Sequence, residues 1–306
     1  MNYKFKTKPY EHQLDALNAS CDKENFAYFM EMGTGKSKVL LDNAAMLYDK
    51  GKINGLLIIA PKGVYKNWYD SEIPTHLPDH IFKKIVLWKT SDKSAKQKNL
   101  LNTLFKTGTE FHILIMNVEA FSSSDGPSFA HKFLSAHNAM IAIDESTTIK
   151  TPTTKRTKSI IALRELAKYR RILTGSPVTK SPLDLFSQCE FLDPWLLGHS
   201  SYWTFKARYA VTRKIQVSGR QVEIVVGYRN LGELSDKIKP FSKRVLKDDC
   251  LDLPEKTWMK HTVELTKEQK KVYAQMKQEA IAFLDGKMQS SATVMTQLMR
   301  LHQITC

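Results

Sequence analysis

The sequence predicts an α/β fold in which helices cover both faces of a parallel β-sheet, with a mostly helical insertion after the last strand of that sheet. Short apolar runs alternate with segments of helix length, and the run LLII at residues 56–59 is continuously apolar. Strands buried on both faces have this composition, which is typical of parallel sheets with helical crossovers. The predicted strands are residues 26–30, 55–60, 84–88, 111–116, 139–144 and 170–174.

A glycine-rich loop connects the first predicted strand to a helix. Residues 30–37 read MEMGTGKS, and a helical pattern begins near Val39. A strand, a glycine loop and a helix in this order form a phosphate-binding loop, or P-loop. Gly33 and Gly35 let the backbone bend and bring its N–H groups close to phosphate oxygens, where a β-carbon would intrude. The N-terminus of the helix adds unpaired N–H groups and the positive end of its dipole.

The polar residues of this loop are of the types that bind a nucleoside triphosphate and its metal ion. We expect Lys36 to contact the β- and γ-phosphates and the Ser37 hydroxyl to ligate magnesium, with Thr34 in the part of the loop that surrounds the phosphates. The strict pattern has Gly in place of Met30, which lowers the specificity of the match. The alternative is an ordinary helix start that contains glycine and an exposed lysine.

The composition indicates a polyanionic partner. The 46 basic residues exceed the 31 acidic ones, which leaves a formal charge of +15. A surplus of this size favours nucleic acid over a small neutral substrate, and a solubilising surface is the alternative. The four cysteines are far apart in the sequence, which excludes a zinc module or a disulfide scaffold and is typical of a reducing cytosol. No apolar run approaches the roughly 18 residues of a membrane span, so we expect a cytoplasmic protein without a membrane partner.

An acidic pair ends the predicted strand 139–144. Asp144 can hold magnesium directly or through water, and Glu145 can orient or deprotonate the water that attacks the terminal phosphate. We expect both acids at the same edge of the sheet as the P-loop, because ligands bind at the carboxyl ends of parallel strands. A helix N-cap formed by Asp144 is the alternative.

The segment TGSP at 174–177 follows the next predicted strand. The short hydroxyl side chains of Thr174 and Ser176 can hydrogen-bond to the acidic pair and so sense the nucleotide. A simple turn is the alternative.

The character of the chain changes near Ser181, where the predicted sheet ends. We expect a first lobe at 1–180, an insertion at 181–256 and a C-terminal part at 257–306 that leads towards a further domain. The insertion is predicted to contain a helix at 181–193, a β-hairpin at 214–228 and helical residues at 231–256. The C-terminal part is predicted to contain a strand at 258–265 and helices at 266–286 and 290–302.

Residues 195–245 are rich in lysine, arginine and tyrosine and include Trp203. A segment with this composition can bind DNA or a partner protein. A solvated basic face with a small aromatic core of its own is the alternative.

The order of these segments resembles the N-terminal half of a Swi/Snf-like DNA translocase of helicase superfamily 2. The resemblance covers nearly the whole chain, with residues 200–235 matched poorly. The form TGSP together with FLDP at 191–194 favours this group over RNA-unwinding relatives. The other matching segments are PYEHQ at 9–13, EMGTGKS at 31–37, APK at 60–62, NW at 67–68, DEST at 144–147, DLF at 184–186, PF at 240–241, KR at 243–244, LPEK at 253–256 and LMRLHQI at 298–304.

The resemblance implies a RecA-like lobe that uses ATP and magnesium and moves along double-stranded DNA. It assigns Gln13 to the adenine edge, and it gives the P-loop and the acidic pair the roles stated above. Thr174 and Ser176 would couple the nucleotide to the DNA groove. Contacts with the DNA backbone are implied for Lys62, Asn117 and Lys150.

The chain departs from the family pattern in two places. The segment DEST has Thr147 where the family often has the histidine that links the hydrolytic site to the rest of the motor. The chain also stops near the point where the family's second motor lobe begins, and that lobe supplies arginines that contribute about 10³–10⁵ in turnover. We therefore expect a fragment that binds nucleotide and hydrolyses it poorly alone. The alternatives are a non-hydrolytic nucleic-acid-binding module with a vestigial P-loop and a strand-separating helicase subunit.

Overall fold

A seven-stranded parallel β-sheet forms the centre of the fold. The computed structural model of the chain describes residues 3–89, 94–106, 108–217, 220–250, 257–286 and 291–305. The sheet contains β1 (Asn25–Met30), β2 (Gly55–Ala60), β3 (Lys83–Leu87), β4 (Phe111–Asn117), β5 (Ala139–Asp144), β6 (Tyr169–Leu173) and β9 (Ser242–Val245), and a separate hairpin contains β7 (Ala210–Val217) and β8 (Arg220–Tyr228). The strand order is β3-β4-β2-β5-β6-β1-β9, and all neighbours are parallel. The predicted α/β fold is confirmed, with strand ends that differ from the prediction by one residue.

Alternate residues of the central strands pack into two apolar cores, one on each face of the sheet. Leu57 and Ile59 of β2 belong to one core, whereas Leu56 and Ile58 belong to the other. All four side chains are fully buried. A strand that contributes to two cores must be apolar at every position, which explains the continuous apolar run in the sequence.

Helices cover both faces of the sheet. Val39 of α2 packs into the core that contains Leu56, and Phe133 of α6 packs into the core that contains Leu57. None of the helices that the structure describes is long and apolar enough to cross a membrane. The helices are α1 (Glu11–Ser20), α2 (Lys36–Asp49), α3 (Tyr65–Asn67), α4 (Ile73–His76), α5 (Ala95–Asn102), α6 (Asp125–Ala136), α7 (Lys155–Ile161), α8 (Leu185–Leu192), α9 (Tyr202–Tyr209), α10 (Leu231–Ile238), α11 (Lys247–Cys250), α12 (Lys267–Gly286) and α13 (Ser291–Thr305), and a π-helical turn at Trp68–Glu72 lies between α3 and α4.

The last strand of the sheet comes from the segment that the sequence predicted as helical. Helix α10 agrees with that prediction, but residues 242–245 form β9, so the prediction of continuous helix over 231–256 is wrong there. β9 pairs with β1, with Ala27 opposite Ser242 and Met30 opposite Val245. β9 is an edge strand among the strands that the structure describes, and its sequence, SKRV, is mostly polar, as is common in edge strands. Residues 251–256 lie outside the described residues.

The predicted hairpin is confirmed. β7 and β8 are antiparallel and pair from Ala210 opposite Tyr228 to Val217 opposite Arg220. The register shifts once, between Val211 and Thr212. The predicted turn at 218–219 lies outside the described residues.

The chain divides into two compact units, Met1–Asp252 and Leu253–Cys306. Within the second unit, the amide of Gln269 on α12 donates a 3.1 Å hydrogen bond to the Ile304 carbonyl on α13. The strand predicted at 258–265 is not formed, since residues 257–266 have neither helix nor strand structure. An alternating pattern makes a strand only where a second strand pairs with it. The predicted domain boundaries at 180 and 256 stay a prediction.

Candidate nucleotide-binding site

Three neighbouring strands carry the predicted site residues to one edge of the sheet. The P-loop follows β1, the acidic pair lies at the end of β5, and Thr174 follows β6, which lies between β1 and β5. Leu173 of β6 is in register with both Tyr28 of β1 and Asp144 of β5. Because the strands are parallel, their carboxyl ends meet here.

The P-loop has a backbone that requires glycine. Gly33 and Gly35 have φ angles of +87° and +86°, in the left-handed region that β-carbons disfavour. A β-carbon at Gly35 would also lie 2.2 Å from Nε2 of Gln13. A larger residue at position 35 would therefore strain the backbone and displace the Gln13 side chain.

Two side chains at the start of α1 lie within hydrogen-bond distance of the P-loop. The Gln13 amide donates a 3.1 Å hydrogen bond to the Thr34 carbonyl, and Nε2 of His12 lies 2.9 Å from the same oxygen. The Gln13 oxygen accepts a 3.0 Å hydrogen bond from the Tyr10 backbone N–H. A glutamine amide has two N–H groups and two oxygen lone pairs, so each end of Gln13 retains capacity for one more hydrogen bond.

Polar side chains of the P-loop turn back onto the loop itself. The Thr34 hydroxyl donates to the Glu31 carbonyl over 2.7 Å, and the Lys36 ammonium donates to the same carbonyl over 3.4 Å. Ser37 lies half-buried in the first turn of α2, the position from which a hydroxyl reaches a metal ion on the phosphates.

The Asp144 carboxylate is held by a tryptophan. The indole N–H of Trp68 donates a 2.9 Å hydrogen bond to Oδ2, and the Glu145 backbone N–H donates a 3.0 Å hydrogen bond to Oδ1. Burial raises the pKa of Asp144 to about 6. The hydrogen bond from Trp68 and the positive charge of Lys36 lower this pKa, whereas the negative charge of Glu145 raises it further. Lys36 and Asp144 therefore act on each other electrostatically.

Trp68 lies in the segment NW that matched the family pattern, yet the sequence assigned it no role. Its side chain is buried in the π-helical turn after α3. A tryptophan in an apolar environment is usually a core residue, and its separation of 76 residues from Asp144 gave no signal of the hydrogen bond.

Glu145 has a strained backbone. Its φ is +49°, and among the non-glycine residues that the structure describes it shares a positive φ with Asn230 alone. Such a conformation costs on the order of 1–3 kcal/mol and is found mainly at functional sites. The hydroxyl of Thr174 donates a 3.2 Å hydrogen bond to Oε2 of Glu145. The helical turn Ser146–Ile149 has no side-chain capping bond at its N-cap, so the geometry does not favour the capping alternative.

The TGSP segment contacts both sides of the site. Thr174 is buried, and its hydroxyl accepts a 3.2 Å hydrogen bond from the backbone N–H of Ser176, whose own side chain is exposed. A β-carbon at Gly175 would lie 3.3 Å from Cα of Glu31, so glycine allows this segment to pack closely on the start of the P-loop. Thr174 is therefore in hydrogen-bond contact with the acidic pair, and Gly175 is in contact with the P-loop.

A buried glutamine connects the segments that follow β5 and β6. The Ser146 hydroxyl donates a 2.6 Å hydrogen bond to Oε1 of Gln188 on α8, and Nε2 of Gln188 donates over 2.8 Å to the Pro177 carbonyl. Gln188 is fully buried. This connection lies beside Thr147, where the family often has histidine, and the sequence did not predict it.

Lys62 and Asn117, two of the three residues expected to contact DNA, lie at strand ends on the same edge of the sheet, whereas Lys150 follows the helical turn Ser146–Ile149. Lys62 is exposed in the turn after β2, and Asn117 ends β4, the neighbour of β2, where its amide donates a 3.2 Å hydrogen bond to Oε2 of Glu119. The ammonium of Lys150 contacts the Thr179 hydroxyl and lies 3.7 Å from Oδ2 of Asp184. The structure thus brings Lys62 and Asn117 onto adjacent strands, whereas Lys150 is engaged in an ion pair.

A parallel sheet whose adjacent strand ends carry a P-loop, a buried threonine and an acidic pair defines a P-loop ATPase lobe of the RecA-like class. The chain belongs to the SNF2-related domain family, whose model matches residues 12–306. The Swi/Snf-like resemblance read from the sequence is therefore confirmed.

Individual relatives agree with this assignment. The chain is 30% identical over 225 residues to the DNA excision repair protein ERCC-6-like of Danio rerio, covering 72% of this chain and 14% of that protein. It is 28% identical over 283 residues to the putative ATP-dependent helicase/translocase YwqA of Bacillus subtilis, covering 90% of this chain and 27% of that protein. The chain thus spans a minor part of the length of either relative.

The fold matches a solved structure of the same family. The SWI2/SNF2 ATPase core of Sulfolobus solfataricus in complex with dsDNA superposes with a TM-score of 0.61 at 24% identity, covering 99% of this chain and 59% of that one. At this identity the likeness shows the fold.

Proposed function

We propose that this chain is the ATP-binding first lobe of an ATP-dependent double-stranded DNA translocase, and that efficient hydrolysis depends on a second lobe. The observation that carries the proposal is the meeting of the P-loop, Thr174 and the acidic pair on adjacent strand ends, with the charge of Lys36 acting on Asp144. Membership of the SNF2-related family supports it.

ATP fits the residues that are present. The left-handed Gly33 and Gly35 leave the loop without side chains where phosphate oxygens approach, and Lys36 supplies the charge for the β- and γ-phosphates. The free N–H and lone pair of the Gln13 amide match the donor and acceptor of the adenine edge. A cleft of about 670 Å³ lies beside α1. Its lining includes Tyr10, which offers a ring face for stacking, and four acidic residues, Glu11, Asp15, Asp248 and Asp249.

Magnesium fits the same edge of the sheet. Ser37 and Asp144 would hold the ion, directly or through water, and the ion would neutralise charge on the phosphates when bound. Asp144 binds a cation in its ionised form, so the Trp68 hydrogen bond that favours ionisation also favours metal binding. Glu145 orients or deprotonates the attacking water, and the Thr174 hydrogen bond fixes the carboxylate for that role.

Double-stranded DNA is the proposed track, and a polyanion of this kind fits the formal charge of +15. We therefore also propose that the protein is associated with DNA inside the cell. The solved relative from Sulfolobus solfataricus is described in complex with dsDNA. Lys62 and Asn117 are proposed to contact phosphates from adjacent strand ends. Lys150 would do so by exchanging the Asp184 carboxylate for a DNA phosphate. Ser176, exposed beside the buried Thr174, is the proposed coupling residue on the DNA side.

The proposed second lobe explains why weak hydrolysis is expected from this chain. An arginine that reaches the phosphates from a second lobe contributes about 10³–10⁵ in turnover. The chain covers 59% of the matching ATPase core and much smaller parts of the curated relatives, which leaves room for that lobe in a longer protein.

The test measures ATP binding by calorimetry and steady-state ATP hydrolysis at low salt, with and without duplex DNA. Lys36→Ala is compared with Lys52→Ala, an exposed lysine in the loop between α2 and β2. We expect the parent and Lys52→Ala to bind ATP with similar affinity and to hydrolyse it slowly, and Lys36→Ala to lose binding by about 100-fold or more.

Two results would change the assignment. Equal ATP affinity in the parent and in Lys36→Ala would overturn the motor proposal and favour a nucleic-acid-binding module with a vestigial P-loop. Separation of strands by the longer protein would favour the strand-separating helicase over a translocase.

A further inference from the structure

A second lysine lies against the P-loop from outside it. Lys247 is the first residue of α11, two positions after β9 ends. Its Cε and Nζ atoms lie 3.5 Å and 3.7 Å from the position that a β-carbon on Gly33 would occupy. Since Gly33 has no side chain, the ammonium of Lys247 is next to the bare backbone of the loop that is proposed to bind phosphates.

The backbone holds Lys247 in this place. The Glu31 N–H donates a 3.0 Å hydrogen bond to the Val245 carbonyl, which continues the pairing of β1 with β9. The Lys247 N–H then donates a 2.7 Å hydrogen bond to Oε2 of Glu31. Glu31 of the P-loop thus forms hydrogen bonds with the backbone on both sides of Leu246, and these bonds hold the backbone of Lys247 in place.

The Lys247 ammonium carries its charge without an anionic partner among the described residues. Within the part of the chain that the structure describes, no carboxylate oxygen lies within 4.0 Å of its Nζ. Lys243, on the same segment, lies 3.5 Å from Oδ2 of Asp15 instead. An anchored lysine with a flexible stem, and with no carboxylate of the described residues within 4.0 Å of its ammonium, is suited to an external anion.

We propose that Lys247 is a second phosphate-binding lysine of the nucleotide site, selective for nucleoside di- and triphosphates over monophosphates. The inference rests on the proposed function, because it assigns the polyphosphate to this loop. Lys36 acts from the first turn of α2, and Lys247 acts from the first residue of α11, just after the edge strand β9. The end of the 181–256 insertion thereby senses whether the P-loop holds a polyphosphate.

The test compares Lys247→Met, which keeps an unbranched stem and removes the charge, with Lys243→Met as the matched control. Calorimetry measures the Kd for ATP, ADP, AMP and adenosine at two salt concentrations. We expect Lys247→Met to raise the Kd for ATP and ADP about tenfold, because one charge-assisted contact is lost. Adenosine affinity should stay unchanged, and Lys243→Met should bind all four ligands as the parent does.

Lys247→Arg separates a charge role from a packing role. The proposal requires that this variant recover most of the ATP affinity with a thermal midpoint like that of the parent. Equal loss in the Met and Arg variants would overturn it, as would parent-like ATP binding by Lys247→Met. If Lys36→Ala still abolishes binding in that last case, the proposed function stands and only the role of Lys247 fails. A parent that binds no nucleotide would overturn both.

Discussion

Two charged side chains on neighbouring strands, Arg171 of β6 and Asp144 of β5, have different surroundings. Arg171 of β6 is fully buried, and burial lowers its pKa, but its guanidinium remains charged. It is surrounded by acceptors near the start of β1. The guanidinium donates hydrogen bonds of 2.7–3.2 Å to Oδ1 of Asn43 and to the carbonyls of Ser20, Lys23, Glu24 and Arg170.

Asp144, at the carboxyl edge, has fewer partners. A carboxylate offers about four lone-pair sites, and in the described part of the chain Asp144 uses two of them, for Trp68 and for its neighbour Glu145. Its pKa is raised by burial to about 6. The Arg171 guanidinium finds its hydrogen-bond acceptors within the protein, as a charge with a structural role does. The Asp144 carboxylate keeps unused lone pairs and a raised pKa, which are features of a group that binds a ligand.

The largest effect that we expect is on stability, from Arg171→Met. The variant removes the donor of five hydrogen bonds, and the Ser20 and Glu24 carbonyls keep another donor, a backbone N–H each. The free energy of unfolding should therefore fall by about 3–5 kcal/mol. Lys168→Met removes an exposed ion pair with Glu24 and should cost less than about 1 kcal/mol. Urea denaturation measures both. An Arg171→Met protein as stable as the parent would show that these acceptors do not depend on the guanidinium.

Asp144→Asn should show the opposite pattern, with function lost and stability kept. The single amide oxygen keeps one of the two hydrogen bonds, from Trp68 or from the Glu145 N–H. The lost hydrogen bond and the removal of a charge whose ionisation opposes folding act in opposite directions, so the free energy of unfolding should change by less than about 2 kcal/mol. The magnesium-dependent part of ATP affinity should fall about 100-fold, since a neutral amide replaces the anionic ligand. The comparison fails if this variant is destabilised as strongly as Arg171→Met.

Gly35→Ala tests whether ATP binding requires glycine at this position of the P-loop. Gly51 also has a positive φ, of +63°, but no atom lies within 4 Å of its β-carbon position, so Gly51→Ala should cost about 1 kcal/mol of stability and no ATP affinity. At Gly35 the same change also displaces Gln13, so ATP affinity should fall about tenfold or more. Equal ATP affinities in the two variants would contradict this.

The pH dependence of magnesium binding should reflect Asp144. The carboxyl is protonated below its pKa of about 6, so the magnesium contribution to ATP affinity should fall about tenfold for each pH unit below 6 and be constant above it. Its effect on folding has the opposite sign, because the raised pKa makes ionisation unfavourable in the folded state. This group therefore stabilises the fold most below its ordinary pKa of 3.8 and progressively less as pH rises to 6. Calorimetry with and without magnesium from pH 5 to 8 measures the first effect, and ADP binding without magnesium is the control.

Trp68→Phe should shift the pH dependence of magnesium binding, and of these variants it should change ATP affinity least. Phenylalanine keeps an aromatic ring, smaller than the indole, and lacks the N–H donor. The pKa of Asp144 should therefore rise, and the midpoint should move up by about one pH unit. Affinity above pH 8 should match the parent. An unchanged midpoint would mean that the indole hydrogen bond does not favour the carboxylate.

Most of the sheet was predictable from the sequence because burial on both faces leaves a local signal. Leu56 to Ile59 are apolar without interruption, and the left-handed glycines of the P-loop mark where β1 ends. β9 carries no such signal, since SKRV forms an edge strand whose existence depends on pairing with β1, more than 200 positions away in the sequence. The predicted strand at 258–265 had the alternating pattern and no partner.

The motifs that form the site were predictable from the sequence. The hydrogen bonds that hold their side chains in place were not. Lys36, Asp144 and Thr174 lie at adjacent strand ends because parallel strands bring their carboxyl ends together. The roles of Trp68 and Gln188 depend on single hydrogen bonds over 76 and 42 residues, which no local pattern encodes. Asn117 and Lys150 have protein partners that the sequence did not predict, and their DNA contacts stay a prediction.

The position of β9 has a consequence for aggregation. The chain leaves the sheet after β6, passes through the hairpin, and returns on the far side of β1, so β1 is an interior strand because β9 covers it. A protein cut at residue 180 would expose the N–H and C=O groups of Ala27 to Met30, a flat apolar edge of the kind that recruits strands from other molecules. Residues 242–245 thus shield the strand that leads into the P-loop from intermolecular pairing.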